Sequence, residues 1–109
     1  MKEFMNTLES MEMFEKCWTG DGITVFVFSA EWCPDCQFIK PFIGKLIEKY
    51  HDYNFVYVDR DQWIEIAQRL TVLGIPSFVG VSKSQEIGRF VSKLRKSESE
   101  IDLFLGGLR

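Results

Sequence analysis

The stretch ITVFVFSAEWCPDC, residues 23–36, joins a run of apolar residues to a pair of cysteines. Its first part, residues 23–30, is rich in β-branched and aromatic side chains and carries no charge. Such an uninterrupted run is typical of a central strand that is covered on both faces. Cys33 and Cys36 follow it, where a helix is predicted to begin and to continue to about Tyr50. Because ligands and chemistry gather at the carboxyl ends of strands in open α/β sheets, the pair is the first candidate for a functional site.

The spacing of Cys33 and Cys36 is compatible with metal binding, with packing or with redox chemistry. A zinc site needs at least three protein ligands. The other candidate ligands, Cys17 and His51, are each separated from the pair by a strand or a long helix, so we expect no metal site. A role as an inert core residue suits Cys17, which lies at helical spacing from Phe14, better than it suits the pair.

The predicted helix start favours redox chemistry at the pair. Unpaired N–H groups and the positive end of the helix dipole stabilise a thiolate at such a position. Cys33 comes first and should project from the turn, whereas Cys36, one helical turn later, should be partly covered by the helix. We therefore predict that Cys33 is the nucleophile and that Cys36 is the resolving thiol, which closes a Cys33–Cys36 redox disulfide.

The rest of the chain predicts alternating helices and strands. Apolar residues at steps of three and four indicate an N-terminal helix over residues 6–18, with Asn6 and Glu9 as its capping pair. The elements predicted after the cysteine helix are a buried strand at 54–59, a short helix at 62–70, a strand pair at 77–82 and 86–92, and a C-terminal helix that begins at Ser97. This order predicts an α/β fold whose parallel strands are completed by an antiparallel hairpin at the sheet edge.

Composition excludes several classes of protein. The 109 residues, 46% of them hydrophobic, suffice for a single domain over residues 1–109. The formal net charge of −3 provides no basic surface for nucleic acid and no polybasic segment for a membrane. Residues 1–16 contain no uninterrupted hydrophobic region, so we expect neither a signal peptide nor a membrane span, and a cytoplasmic location. Three cysteines in that compartment indicate a metal site or a catalytic or sensing thiol pair rather than a disulfide framework.

These motifs together resemble the thioredoxin family over nearly the whole chain. The resemblance is carried by Ala30-Glu31-Trp32-Cys33 with Cys36, by Pro41 in the same helix, and by Gly74-Ile75-Pro76. It implies the thioredoxin fold, a central mixed sheet of four to five strands flanked by about four helices, here with a first strand that is shortened or absent.

The resemblance also implies a substrate-binding surface beside the dithiol. Pro76 should follow a cis peptide bond, and Ile75 should offer its backbone to an incoming peptide strand. Trp32, directly before the nucleophile, is expected to form a flat and partly exposed platform.

Three positions depart from the family's pattern. Pro34-Asp35 replaces the usual Gly-Pro, Val27 replaces a buried aspartate, and Tyr57 replaces the accompanying lysine. Asp35 is therefore the nearest substitute acid, and it either relays a proton for Cys36 or tunes the acidity of the pair; an ordinary helix-start acid is the alternative. Its charge and the helix dipole act on a thiolate in opposite directions and nearly cancel. A thiol of ordinary acidity leaves slowly, which favours a reductant over an oxidant.

We therefore expect a cytoplasmic protein-disulfide reductant that needs no cofactor and acts as a monomer. Its expected partners are disulfide-containing proteins and, as electron donor, a reductase or a low-molecular-weight thiol; nucleic acid and membranes are not expected partners. Two alternatives remain open. One is a dedicated reductase for a single partner or for low-molecular-weight disulfides, and the other is a partner-binding module that uses Ile75 and Pro76 while its dithiol is vestigial.

Overall fold

A five-stranded mixed sheet with the strand order β1-β3-β2-β4-β5 organises the chain, and the computed structural model describes all residues, 1–109. The strands are β1 (Asn6–Thr7), β2 (Thr24–Ser29), β3 (Asn54–Asp59), β4 (Ser77–Ser82) and β5 (Gln85–Phe90). The helices are α1 (Met11–Thr19), α2 (Pro34–Lys49), α3 (Ile64–Arg69) and α4 (Glu98–Gly106), preceded by a short 3₁₀ turn at Lys2–Phe4. Strands β1, β3 and β2 are parallel to one another. Strand β4 is antiparallel to β2, and β5 is antiparallel to β4. The predicted α/β architecture is confirmed.

Strand β2 lies at the centre of this sheet, as its uncharged apolar sequence predicts. All six of its residues are buried. Val27, in the middle of the strand, pairs with Tyr57 in β3 on one side and with Phe78 in β4 on the other. The carboxyl end of β2 is therefore held in place by both neighbouring strands, and it leads directly into the cysteine pair.

Two apolar clusters cover the two faces of the sheet. Successive side chains of a strand point to opposite faces, so Val25 and Val27 belong to one cluster and Phe26 and Phe28 to the other. The first cluster includes buried residues of α2 and α4, and the second includes buried residues of α1 and α3. Each fully buried side chain of this size contributes roughly 1.5–3 kcal/mol. Helix α2 is thereby packed on the sheet along its length.

The N-terminal region corrects one prediction. The sequence predicts a helix over residues 6–18 capped by Asn6 and Glu9, but Asn6–Thr7 form β1 and the helix begins at Met11. Asn6 pairs with Val56 in β3, and the Leu8 amide donates a hydrogen bond to the Tyr57 carbonyl oxygen of the same strand. Ser10 caps the helix, because its Oγ accepts a hydrogen bond from the Met13 amide at 3.1 Å. Backbone pairing with β3 therefore outweighs helical periodicity here, and the expected first strand is present in a shortened form.

The C-terminal half differs from expectation only at its boundaries. The sequence predicts a strand over 86–92, whereas β5 spans Gln85–Phe90, so residues 91–97 form a loop between the sheet and α4. The predicted start of α4 is confirmed. The Ser97 Oγ accepts a hydrogen bond from the Glu100 amide, and the Glu100 carboxylate accepts one from the Ser97 amide, which is a reciprocal capping box.

None of the helices is both long enough and apolar enough to cross a lipid bilayer.

Candidate active site

The cysteine pair lies at the start of α2, directly after the central strand. Cys33 caps the helix, and its Sγ accepts a hydrogen bond from the Cys36 amide at 3.3 Å. Pro34 occupies the first turn of the helix, where the N–H that proline lacks would have no partner in the helix. The sulfur of Cys33 therefore faces the positive end of the α2 dipole, the arrangement that the sequence predicts for a stabilised thiolate.

The two cysteines differ in exposure, and the deeper burial of Cys36 weakens the acidity of its thiol. Cys33 is 5% exposed and Cys36 is not exposed at all, so Cys33 is the more accessible residue, but it is buried and does not project from the turn as predicted, because it packs in the apolar cluster beside α2. Burial is the main cause that raises the pKa of Cys36 to about 12, and the hydrogen bond with Cys33 adds to it. The Ser29 hydroxyl and the Ala30 backbone act in the opposite direction. Cys36 is therefore a thiol at neutral pH and has to lose its proton when it attacks.

The segment Gly74-Ile75-Pro76 lies against the dithiol. The Ile75–Pro76 peptide bond is cis, as the family resemblance implies. The Ile75 carbonyl oxygen is 3.7 Å from the Cys33 Sγ and accepts its S–H. The Ser77 hydroxyl donates to the Gly74 carbonyl and closes the turn in front of β4. The fold therefore places a peptide carbonyl next to the more accessible sulfur.

Trp32 lies at the rim of the site with 62% of its surface exposed. Its indole Nε1 donates to Asp61 Oδ2 at 2.6 Å, and the Arg60 guanidinium lies 5.7 Å from its ring centre. The hydrogen bond from Trp32, followed by the one from Arg60, lowers the pKa of Asp61. Asp61 therefore fixes the orientation of an exposed indole. Sequence reasoning missed Asp61 and Arg60, because they follow β3 and no motif links them to Trp32.

Asp35 is paired with a distant arginine. Its Oδ1 accepts a hydrogen bond from the Arg95 Nε at 2.8 Å, and the Arg95 guanidinium carbon lies 4.4 Å from the ring centre of Phe38. The sequence predicts an unpaired negative charge at Asp35 beside Cys33. The structure shows a matched pair instead, so the guanidinium offsets part of the repulsion that the carboxylate exerts on a thiolate. Arg95 has no sequence signal, since its partner is 60 residues away.

The buried aspartate of the family's pattern has no equivalent in this structure. Val27 and Tyr57 occupy the two positions that the sequence identifies, and they are 0% and 1% exposed. Burial raises the pKa of the Tyr57 hydroxyl. The buried residues include no acid, and the only charged side chain among them is that of Lys96. Sequence reasoning missed Lys96, because lysines in a Lys-Leu-Arg-Lys loop are normally solvated.

The third cysteine lies apart from this site. Cys17, on α1, is half-buried, and its sulfur accepts a hydrogen bond from the Asn54 side-chain amide at 3.7 Å. Burial raises the pKa of its thiol. No three Cys, His, Asp or Glu side chains converge in an arrangement that would hold a metal ion.

Comparison with known proteins agrees with this geometry. The thioredoxin family model matches residues 5–103. The mitochondrial Thioredoxin-2 of Schizosaccharomyces pombe is 34% identical over 97 residues, which cover 89% of this chain and 73% of that protein. Human thioredoxin is 38% identical over 85 residues, which cover 76% of this chain and 81% of that protein. The X-ray structure of Fasciola hepatica thioredoxin superposes with a TM-score of 0.83 at 26% identity, covering 96% of this chain and 100% of that one. A dithiol at the start of α2, a cis-proline turn beside it and these relatives together show that the chain belongs to the thioredoxin family of thiol–disulfide oxidoreductases.

Proposed function

We propose that this protein is a cytoplasmic reductant of protein disulfides and that residues 1–109 act as one domain. The observation that carries the proposal is the contrast between the two sulfurs. The Cys33 sulfur accepts a hydrogen bond from the Cys36 amide at the start of a helix, whereas Cys36 is fully buried and its pKa is raised to about 12. One sulfur is prepared to attack, and the other is held as a thiol until the first has reacted.

In the first exchange the Cys33 thiolate attacks one sulfur of the substrate disulfide. A bond forms between Cys33 and that sulfur, the substrate S–S bond breaks, and the other substrate sulfur leaves as a thiolate that takes up a proton. The Cys36 amide and the helix dipole stabilise the attacking thiolate before the reaction. The product is a mixed disulfide between Cys33 and the substrate.

In the second exchange Cys36 loses its proton and attacks the Cys33 sulfur. The Cys33–Cys36 bond forms, the bond to the substrate breaks, and the second substrate sulfur leaves as a thiolate and is protonated. Two electrons have then passed from the dithiol to the substrate. A reductase or a low-molecular-weight thiol has to return them before the next cycle.

Substrate capture is assigned to Trp32, Ile75 and Pro76. The cis-proline turn presents peptide backbone beside the Cys33 sulfur, where an extended substrate segment can add as a strand. The exposed Trp32 ring, at the rim of the site, offers a flat apolar contact, and Asp61 fixes its orientation. The proposed substrates are therefore proteins with a disulfide in an extended, accessible segment. We propose that the protein acts as a monomer, with no part for nucleic acid or membranes.

Insulin reduction by dithiothreitol tests the proposed function. Adding the protein should accelerate precipitation of the insulin B chain at least about tenfold over dithiothreitol alone. Absence of acceleration, together with capture of one stable partner by a Cys36→Ser variant, would replace the general reductant by a dedicated reductase. Partner binding that survives in a Cys33→Ser, Cys36→Ser double variant would instead indicate a binding module.

Asp35 is proposed as the proton relay for Cys36 in the second exchange. Removing its charge has two effects of opposite sign, which makes Asp35→Asn informative. Loss of the negative charge should slightly accelerate attack by Cys33, whereas loss of the relay should slow the second exchange roughly tenfold near pH 7. Stopped-flow reaction with dithiobis(nitrobenzoate) resolves both, because each exchange releases one coloured thiolate.

Glu31→Gln is the matched control for Asp35→Asn. It removes the same charge from Glu31, an exposed residue two positions before Cys33. The Glu31 carboxylate Oε1 lies 3.5 Å from the Lys2 Nζ. We expect its second exchange to be unchanged. An Asp35→Asn protein whose second exchange keeps the wild-type pH profile would reduce Asp35 to a helix-start acid.

A further inference from the structure

Lys96 is a fully buried lysine in the loop between β5 and α4. Only 1% of its surface is exposed. Its Nζ donates to the carbonyl oxygens of Ser92 and Leu94, each at 3.1 Å, and lies 5.3 Å from the ring centre of Phe90. Lysine is among the residues least often buried, and when it is buried its charge normally has an acidic partner. The position therefore needs a physical explanation.

The ammonium of Lys96 forms no salt bridge, although charged and titratable groups interact with it from two elements. These are Asp35, Cys36 and Cys33 at the start of α2, and Glu100 in α4. Each of the two carboxylates already has another partner, because Asp35 accepts from Arg95 and Glu100 accepts from the Ser97 cap. The dithiol is the one neighbour that acquires a negative charge during the reaction, and it forms no ion pair with another cationic side chain in the structure.

The loop that carries Lys96 is fixed to both sides of the active site. A Cβ atom at Gly74 would overlap the backbone carbonyl of Ser92, so the two backbones are in direct contact. Arg95, directly before Lys96, holds Asp35 within the cysteine motif. Lys96 is thus anchored between the cis-proline turn and the start of α2. Its place in the site is set by backbone packing and by an ion pair, not by a flexible side chain at the surface.

Burial makes this lysine unfavourable in the resting protein. Loss of solvation is the main cause that lowers the pKa of Lys96, while its acidic neighbours and the two cysteines oppose the shift. Methionine has similar length and would occupy the site without a buried charge. A role during the reaction therefore explains Lys96 better than a role in stability.

We propose that the Lys96 ammonium is the buried counter-charge of the dithiol, which stabilises the Cys36 thiolate as the second exchange begins. This inference depends on the proposed dithiol function. The Cys36 proton is released to solvent by way of the proposed Asp35 relay, and the electron pair left on the Cys36 sulfur forms the Cys33–Cys36 bond. The bond between Cys33 and the substrate breaks, and the substrate sulfur leaves with its electron pair and takes up one proton from solvent. Lys96 transfers no proton. It acts on the charge of Cys36 through the low-dielectric interior and is a positioning residue that does not touch the reacting atoms.

Single-turnover reaction with dithiobis(nitrobenzoate) tests this role in Lys96→Met. The first release of thiolate reports attack by Cys33, and the second reports attack by Cys36. We expect the second rate constant to fall about tenfold near pH 7 and its pH profile to move up by about one unit. Lys96→Arg, which keeps the charge, should restore most of the rate. Lys93→Met, at an exposed lysine of the same loop, should match the wild type.

Two results would overturn the proposal. One is a Lys96→Met protein with the wild-type second rate. The other is a slower second step whose pH profile has not moved, because a purely structural role would produce it. Wild-type protein that fails to reduce insulin would contradict the proposed function itself, whereas active wild-type protein with either of these results contradicts only the role of Lys96.

A measurement on the wild-type protein keeps the proposal testable if Lys96→Met does not fold. NMR titration of the Lys96 side-chain carbon next to Nζ should give a higher pKa in the reduced protein than in the oxidised one. The reason is that only the reduced form can carry a thiolate, and coupling between two charged sites is reciprocal. Equal pKa values of Lys96 in the two redox states would overturn the proposal.

Discussion

Replacing Cys33 by serine is expected to abolish disulfide reduction, with a loss on the order of a thousandfold or more. A serine hydroxyl is not ionised near neutral pH, so neither the Cys36 amide nor the α2 dipole would have an anion to stabilise. Cys36 cannot substitute for the missing nucleophile, because it is fully buried and its pKa is raised to about 12. The insulin assay measures the loss directly.

Cys36→Ser is expected to give a different result from Cys33→Ser. Attack by Cys33 should survive, but the mixed disulfide should persist, and intact-mass analysis should show the added mass of one substrate thiol. Cys17→Ser is the control, since Cys17 lies on α1 away from the site and should leave both exchanges unchanged. Reduction of insulin by Cys33→Ser at a rate near that of the wild type would show that the nucleophile is assigned wrongly.

Gly74→Ala is expected to lower the free energy of unfolding by about 3 kcal/mol and to lower the activity. Overpacking usually costs about 1–3 kcal/mol, and the cost should be at the upper end here because the atoms that the new Cβ meets are backbone atoms that cannot rotate away. The added Cβ would overlap the backbone of Ser92 and Lys93. The cis-proline turn or the loop at 91–97 would have to move. Either movement displaces a group that contacts the cysteine motif, which is the Ile75 carbonyl next to the Cys33 sulfur or the Arg95 guanidinium paired with Asp35.

Gly22→Ala provides the matched control for Gly74→Ala. A Cβ at Gly22 would meet no heavy atom within 4 Å. Its effect on the free energy of unfolding should stay within about 0.5 kcal/mol, as for most surface substitutions. Urea denaturation of both variants measures the difference. A Gly74→Ala protein that unfolds at the wild-type midpoint would show that the turn and the loop are not tightly packed.

The predictable part of the fold follows from local pattern. The uncharged run before the cysteines predicts a buried central strand, and β3 coincides with its predicted range of 54–59. Ser97 predicts the start of α4, because serine is a common first cap of a helix, and the structure adds the reciprocal bond from Glu100. The N-terminus was predicted wrongly, because a strand of two residues is too short to show an alternation and depends on pairing with β3.

Within the site, the sequence predicts the residues of the local motif but not those that reach it from distant parts of the chain. The dithiol could be found from its spacing and from the strand before it. Arg95 and Lys96 could not, because α2 and the loop after β5 approach each other only in the folded chain. Lys96 also contradicts the general expectation that lysine is solvated. Sequence reasoning correctly noted that a buried acid is missing, but the buried charge that is present has the opposite sign.

The charges around the dithiol therefore form a consistent arrangement. Arg95 forms an ion pair with Asp35, and this pair limits the repulsion between the Asp35 carboxylate and a Cys33 thiolate. Lys96 supplies positive charge near Cys36 without a carboxylate partner. Neither effect outweighs the burial of Cys36, whose pKa remains far above neutrality. Ionisation of Cys36 therefore does little to stabilise the reduced form at neutral pH, which agrees with the proposed reducing direction.

The equilibrium potential of the Cys33–Cys36 couple, measured against glutathione buffers, tests the central claim most directly. A reductant whose buried thiol is a weak acid should have a potential at or below the glutathione poise of roughly −220 to −260 mV. Quantifying the disulfide by alkylation and mass analysis across the buffers gives this value. A potential of about −180 mV or higher, in the range of disulfide isomerases and oxidants, would contradict the assignment as a reductant.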